Sequence, residues 1–457
     1  MKETAKELDE LRQLALDHVW VPLRPWNALT APRGFSIFTE GKGCYITDIN
    51  GKTYLDYWGT VNGVNAVGWG RKEIADAVYE QMVKLQYPPT HELTIPKIEL
   101  AKKLADITPG SLSKVFFGNG GSESIETAIA MAKKYQILSG HRNKYKIIGG
   151  YTYHGSTFGA MSTGWRAPIF TWEDYPPLLP GMVHVPSPYC SICDLGLKYP
   201  SCNLECARQV EKIIQREIPE TVAAFLDTPI ASAGFIPPPE YWPTVRSICD
   251  KYGVVLILDC IVTGFGRTGK MFGIEHYNVV PDIIVVGKAF ASGYAPISAA
   301  IVRRGIAQKF EGGREEMLKH SYTFEGHPGA CAAALKNLEI IEREKLVENS
   351  ETLGKYLFEQ LQLLYQHSIV GEIRGGLGLL CEVELMRNRK SKEKFSPQEN
   401  ARISSMLREK LPAAGLFGPL RNPLPICPSL IITKDEIDEI VTGFDRVIGE
   451  IEKEFST

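Results

Sequence analysis

The chain has 457 residues, 44% of them hydrophobic and 23% charged, with a formal net charge of −2. That length holds two domains and a sizeable core, and the near-neutral balance excludes a basic field for nucleic acid or a polybasic membrane patch. Met1 to Leu16 lacks the apolar core of a signal peptide, no run is long enough to cross a bilayer, and ten cysteines in that setting indicate a reducing cytoplasm.

Apolar residues at Leu8, Leu11, Leu14, Ala15 and Val19 predict a short amphipathic helix, followed by an irregular stretch with Trp20, Pro22 and Trp26. Phe35 to Asp56 reads as short strands, with turns at Glu40 to Gly43 and at Asn50-Gly51. Tyr57 to Gly70 is loop-like and carries Trp58, Asn62, Asn65 and four glycines. Ile74 to Leu85 is predicted helical. A large α/β domain begins near here.

Ile98 to Ile107 is a helix stopped by Pro109-Gly110. Lys114 to Phe117 is a strand, Gly118 to Ser122 a tight loop, and Ile125, Ala128, Ile129, Ala132 and Tyr135 recur at helical spacing. Strand, glycine loop and helix start in succession make a nest of backbone N–H groups suited to phosphate. Alone it is a weak signal, since a glycine turn is more often a plain connection. Lys144 to Gly149 is a strand leading to Tyr153, which can cover a flat ring or pack on neighbouring loops. His154 reads as a histidine hydrogen-bonded in place, with no proton transfer assigned to it. Pro168 to Cys206 is a long loop rich in proline and aromatic residues. Cys206 to Arg216 is helical, Val222 to Leu226 is a strand ending at Asp227-Thr228-Pro229, and Tyr241 to Tyr252 is a helix.

Val254 to Leu258 is an unbroken apolar run that stops on Asp259, as expected of a strand buried on both faces of a parallel sheet. The glycine-rich segment Cys260 to Gly269 follows. A second such strand, Ile283 to Val286, ends in Gly287-Lys288. Open α/β sheets bind ligands at the carboxyl ends of their strands. An Asp and a Lys placed there fit a salt bridge at the rim of a core. They also fit a pyridoxal phosphate site, where a lysine amine forms a Schiff base and an acid keeps the ring nitrogen protonated. Beyond Lys288 lie a strand over Ile297 to Val302, a polar loop from Ser321 to Pro328, and a long helix, Gly329 to Glu344, bridging to a smaller carboxyl-terminal domain. Leu379 to Leu385 is a β segment there, and Gln398 to Lys410 and Asp435 to Glu454 are helices.

Gly120-Gly121-Ser122-Glu123, Tyr153-His154-Gly155, Asp259 with Thr263 to Gly269, Gly287-Lys288 and Thr323-x-x-Gly326-His327-Pro328 occur in one order. In that order they resemble the class III aminotransferases of pyridoxal phosphate fold type I. The resemblance runs from about Gly41 to the last helix. It implies a large domain with a mostly parallel central sheet flanked by helices (residues 66–330), an amino-terminal segment (1–65) and a small α+β domain (331–457). It also implies a homodimer, or a dimer of such dimers, with active sites at the subunit interface. Lys288 would hold pyridoxal 5′-phosphate and move the proton between substrate carbon and C4′. Asp259 would pair with the ring nitrogen. Tyr153 and Ile261 would cover the two ring faces, Gly121 and Ser122 would donate to the phosphate, and Thr323 would reach the phosphate of the partner subunit's site. Trp58 and Arg421 would meet the substrate.

Departures from the family pattern are informative. Cys260 stands where Asp-Glu is frequent. Val262 replaces the Gln of many 2-oxoglutarate users and looks like the ω-amino acid:pyruvate branch, yet that branch usually shows Glu-Pro where this chain has Thr228-Pro229. Ala233 supplies no acidic gate. Arg421 is offset by about three residues from the family's carboxylate-binding arginine. Cys190, Cys193, Cys202 and Cys206 crowd one loop; they read either as free thiols or as a structural zinc or iron–sulfur site, and no metal ligand is assigned. The resemblance implies transfer of an amino group from an ω-amino acid or primary amine to pyruvate or a similar oxo acid. Its alternatives are a same-fold aminomutase, racemase or dialkylglycine-type decarboxylase, or a non-catalytic binding protein.

Overall fold

The computed structural model describes residues 5–31, 34–89, 91–150, 152–164, 174–232 and 234–455. Ala233 and part of the loop after Gly164 lie outside the described residues.

The molecule is built on a seven-stranded sheet. Its strands are β1 (Leu112–Gly118), β2 (Lys146–Gly149), β3 (Met182–His184), β4 (Val222–Asp227), β5 (Val255–Asp259), β6 (Ile283–Val286) and β7 (Ser298–Arg303). Their spatial order is β1-β7-β6-β5-β4-β2-β3. β7 runs antiparallel to both its neighbours, and the pairs β6–β5, β5–β4, β4–β2 and β2–β3 are parallel. Every residue of β5 and β6 is buried. A buried Val, Ile or Leu side chain contributes roughly 1.5–3 kcal/mol, so these two strands are among the most firmly held backbone in the protein.

Alternation still divides the two faces. Val255, Ile257, Ile283 and Val285 pack with Ile125, Ala128, Ile129 and Ala132 of the helix Gly121–Leu138. Leu256, Leu258, Ile284 and Val286 pack into the other layer, with Tyr241, Trp242 and Val245 of the helix Tyr241–Tyr252. The Cys260 side chain joins that second layer and is fully buried there.

Around this body lie two smaller sheets. Phe38–Lys42, Tyr45–Asp48 and Thr53–Asp56 form an antiparallel meander, to which Leu416–Phe417 adds a parallel strand, joining the two ends of the chain. Val370–Gly375, Cys381–Leu385 and Leu424–Ile426 form the other. The first turn sits at Gly43-Cys44, tighter than the Glu40 to Gly43 expectation, because Gly41 and Lys42 continue the ladder. Met182–His184 lies inside the stretch read as irregular: three residues are too few to show periodicity, and their pairing with β2 makes the strand. The helix Leu346–Gln362 also escapes the pattern, since Ser350 and Gly354 occupy buried positions of its stripe. Among the described residues no helix is long and apolar enough to cross a membrane.

Candidate active site

β5 and β6 are adjacent and parallel, with Asp259 opposite Val285. Asp259 and Lys288 therefore emerge at the same edge of the sheet, from strands whose backbones run about 4.8 Å apart. Asp259 is buried. Its Oδ1 accepts from the Ile261 N–H at 2.9 Å, and its Oδ2 accepts from His154 Nδ1 at 2.8 Å. His154 is thus a hydrogen-bonded orienting group, with Nδ1 carrying the proton.

Lys288 opens a short 3₁₀ turn with φ +47°, a left-handed conformation uncommon for a side-chain-bearing residue. Such strain costs on the order of 1–3 kcal/mol and collects where geometry serves chemistry. Burial pushes the Lys288 amine below an ordinary lysine, the Asp259 carboxylate and Cys427 opposing and the Arg267 guanidinium assisting. A lysine held so gives up its proton more easily than one in water. Arg267 is itself fully buried, donating through Nη1 to the carbonyls of Leu379 and Pro428.

The helix Gly121–Leu138 starts at the same edge. A side chain on Gly120 would meet nothing within 4 Å, so open space stands over the helix N-terminus, where backbone N–H groups are unsatisfied. Ser122 Oγ accepts from the Ser156 N–H at 3.0 Å. A Cβ on Gly121 would lie 2.7 Å from Ile261 Cδ1, and one on Gly287 3.6 Å from Ile261 Cγ2. Ile261 therefore sits between the glycine loop and the approach to Lys288. The Tyr153 ring is 45% exposed, its hydroxyl 2.9 Å from Ser156 Oγ. A flat, phosphorylated pyridine fits this donor set: open N–H groups for phosphate, a carboxylate for ring nitrogen, an amine for aldehyde.

The remaining predicted residues lie farther out. The Trp58 indole donates to Asn62 Oδ1 at 2.9 Å, at the head of the irregular turn Gly59–Gly63. That turn abuts Arg267, since a Cβ on Gly63 would stand 2.7 Å from Arg267 Nε. Arg421 is half-buried, near Tyr57 and Glu382, and makes no hydrogen bond or ion pair among the described residues. Thr323 is exposed; its carbonyl accepts from the Tyr87 hydroxyl. Val262 is half-buried against the core, and Thr228 Oγ1 donates to the Asp259 carbonyl at 2.9 Å, tying the ends of β4 and β5 together.

Cys190, Cys193, Cys202 and Cys206 carry free thiols and line one small cavity with Tyr189, Tyr199 and Pro238. Among the described residues no group of three or more His, Cys, Asp or Glu side chains is arranged to hold a metal ion. Cys190 is exposed, and Cys206 lies in the first turn of the helix Glu205–Arg216.

Sequence reasoning gave Asp227 no role. It ends β4 just as Asp259 ends β5, and that repeated signal, an apolar run stopping on a carboxylate, was available.

A family model described as Aminotransferase class-III matches residues 30–448. The chain is 37% identical over 470 residues to the taurine–pyruvate aminotransferase of Bilophila wadsworthia, covering 98% of this chain and 99% of that protein. It is 35% identical over 441 residues to the putrescine–pyruvate aminotransferase of Pseudomonas aeruginosa, covering 95% and 94%. The fold superposes on a thermostable (S)-enantioselective ω-transaminase from Thermomicrobium roseum with a TM-score of 0.91 at 36% identity, over 97% and 98% of the two chains.

Proposed function

The chain belongs to the class III aminotransferases, pyridoxal phosphate-dependent enzymes, and on that premise we propose that it moves an amino group from an ω-amino acid or primary amine to pyruvate or a similar small oxo acid. The observation that carries this reading is the Lys288–Asp259 pair on adjacent buried strands beside an open helix N-terminus. When bound, pyridoxal phosphate supplies an electron sink for the carbanion formed at the reacting carbon.

This chain's own residues do the rest. Asp259, oriented by His154 and the Ile261 N–H, offers a carboxylate to the ring nitrogen. Lys288, its amine eased toward the neutral form, would take a proton from the substrate carbon and return it two bonds away, at the carbon beyond the bridging nitrogen. Gly121 and Ser122 receive the phosphate; Ile261 and Tyr153 confine the ring. Trp58 and Arg421 face the substrate, Arg421 with an uncommitted guanidinium suited to a carboxylate. In a cytoplasmic homodimer, the exposed Thr323 of each subunit reaches the other's phosphate.

The pyruvate preference is supported by the names of the relatives and by Val262, an apolar side chain where 2-oxoglutarate users often carry glutamine. Two half-reactions sharing one carrier predict ping-pong kinetics. A donor panel with pyruvate and 2-oxoglutarate in turn tests the reading. Alanine formed in step with amine consumed is expected. Turnover that needs 2-oxoglutarate, or carbon dioxide release without an acceptor, contradicts it.

A further inference from the structure

A second carboxyl group is buried one strand beyond Asp259. Asp227 is the last residue of β4, and its backbone pairs with Leu258. It has no solvent exposure. Oδ1 accepts from the Thr228 N–H at 2.8 Å, while Oδ2 has no hydrogen-bond partner. The carboxyl is pressed against the Gly149-Gly150 corner: a Cβ on Gly150 would lie 1.8 Å from Oδ2. Glycine is what admits the carboxyl here.

His154 carries the complementary deficit. Its Nδ1 is committed to Asp259, and its Nε2 is buried without a partner. Asp227 lies in the electrostatic field of both His154 and Asp259. The Tyr241 phenol, also buried and without a hydrogen-bond partner, lies within electrostatic reach of Asp227. A lone buried carboxylate and a lone buried imidazole nitrogen are each unfavourable, whereas one proton held between them satisfies both.

We propose that Asp227 is a positioning residue that acts through His154: the two share one proton across one buried water, and so hold His154 Nδ1–H on Asp259. The proposal rests on the reading of Asp259 as partner of the cofactor's ring nitrogen. The proton balance is simple. It resides on Asp227 Oδ2 or on His154 Nε2, with the water donating to whichever atom lacks it, and the pair is neutral in either form. Removing it leaves a net negative charge on Asp227, beyond His154, which itself stands two hydrogen bonds from the ring nitrogen. Burial pushes the Asp227 carboxyl up to about 7, with the positive field of His154 and the Thr228 N–H opposing and Asp259 assisting, so that this loss falls in the working range.

Cofactor-loaded protein should therefore show a pH-dependent step in the visible absorbance of the bound cofactor that depends on residue 227. Asp227→Asn can still hold the water that serves Nε2 but has no proton to release; the step should vanish while kcat stays within about threefold of wild type. Asp227→Leu leaves Nε2 without a partner, and kcat should fall by about tenfold or more, the equivalent of one pKa unit at the ring nitrogen, with the donor KM changed less. Protein without cofactor, labelled with ¹⁵N in its histidine rings, gives a second readout. The signal lost in His154→Gln should titrate in wild type and not in Asp227→Asn. An absorbance step and a histidine titration both unchanged in Asp227→Asn, or full kcat in Asp227→Leu, would overturn the proposal. Failure of the wild type to bind the cofactor, with the histidine signal behaving as stated, counts against the assigned function and leaves the shared proton standing.

Discussion

Asp259 must be buried, oriented and satisfied at once, and three neighbours divide that work. The Ile261 N–H and His154 Nδ1 donate to its two oxygens, and Thr228 pins its carbonyl. Asn at this position keeps the shape but holds no proton on the ring. Asp259→Asn should retain cofactor by absorbance while kcat falls by about a hundredfold or more, the scale on which a preorganised charge is lost. Arg421→Ala should raise KM for carboxylate-bearing donors and for pyruvate by about tenfold or more, a charge-assisted hydrogen bond being worth about 1.5–3 kcal/mol. A simple amine donor should keep its KM. Asp56 offers a test of pH linkage. Burial raises its carboxyl from 3.8 to about 6, so the folded state binds this proton more tightly than the unfolded chain. Its favourable contribution is full below 3.8 and is lost as pH rises through about 6. The melting temperature of Asp56→Asn should gain on wild type across that window and hold a constant lead above it. Asp259 and Lys288 were legible in the sequence because each ends an apolar run. What Asp227 does was not, since its meaning depends on His154, brought beside it only by the sheet.

Elements fixed by long apolar runs were read almost to the residue: Val255–Asp259, Ile283–Val286 and Tyr241–Tyr252 fall where the pattern put them. Elements that depend on packing were not. Helix Leu346–Gln362 buries Ser350 and Gly354 because it lies against the Arg267 and Gly378 backbones: Ser350 Oγ donates to the Arg267 carbonyl at 3.1 Å. Gly378 shows how tight that junction is. Its φ is +58°, and a Cβ there would stand 2.4 Å from the Arg267 carbonyl oxygen. Gly378→Ala combines left-handed strain with a backbone clash, so stability should fall by roughly 1–3 kcal/mol or more. Scanning fluorimetry of the cofactor-free protein checks this, and cofactor affinity should weaken with it as the Arg267 loop shifts.

For the whole molecule, one chain leaves several large apolar side chains uncovered. Ile95, Ile98, Phe158 and Phe324 are large apolar side chains left exposed, and Thr323 is exposed beside the last of them. The expected assembly is a homodimer with twice the 50.8 kDa chain mass in light scattering, or a multiple of that dimer. Thr323→Ala should weaken cofactor retention without altering that mass. A monomer with full activity would contradict the shared-site reading. The exposure of these side chains was invisible to residue patterns, because exposed apolar positions look like core until the fold shows which way they point. The most direct test of the account is chemical. Protein loaded with pyridoxal phosphate is reduced with borohydride, digested, and its peptides weighed. The account predicts the cofactor's mass fixed on the peptide containing Lys288 and lost in Lys288→Ala; a label on another lysine, or none, would contradict it.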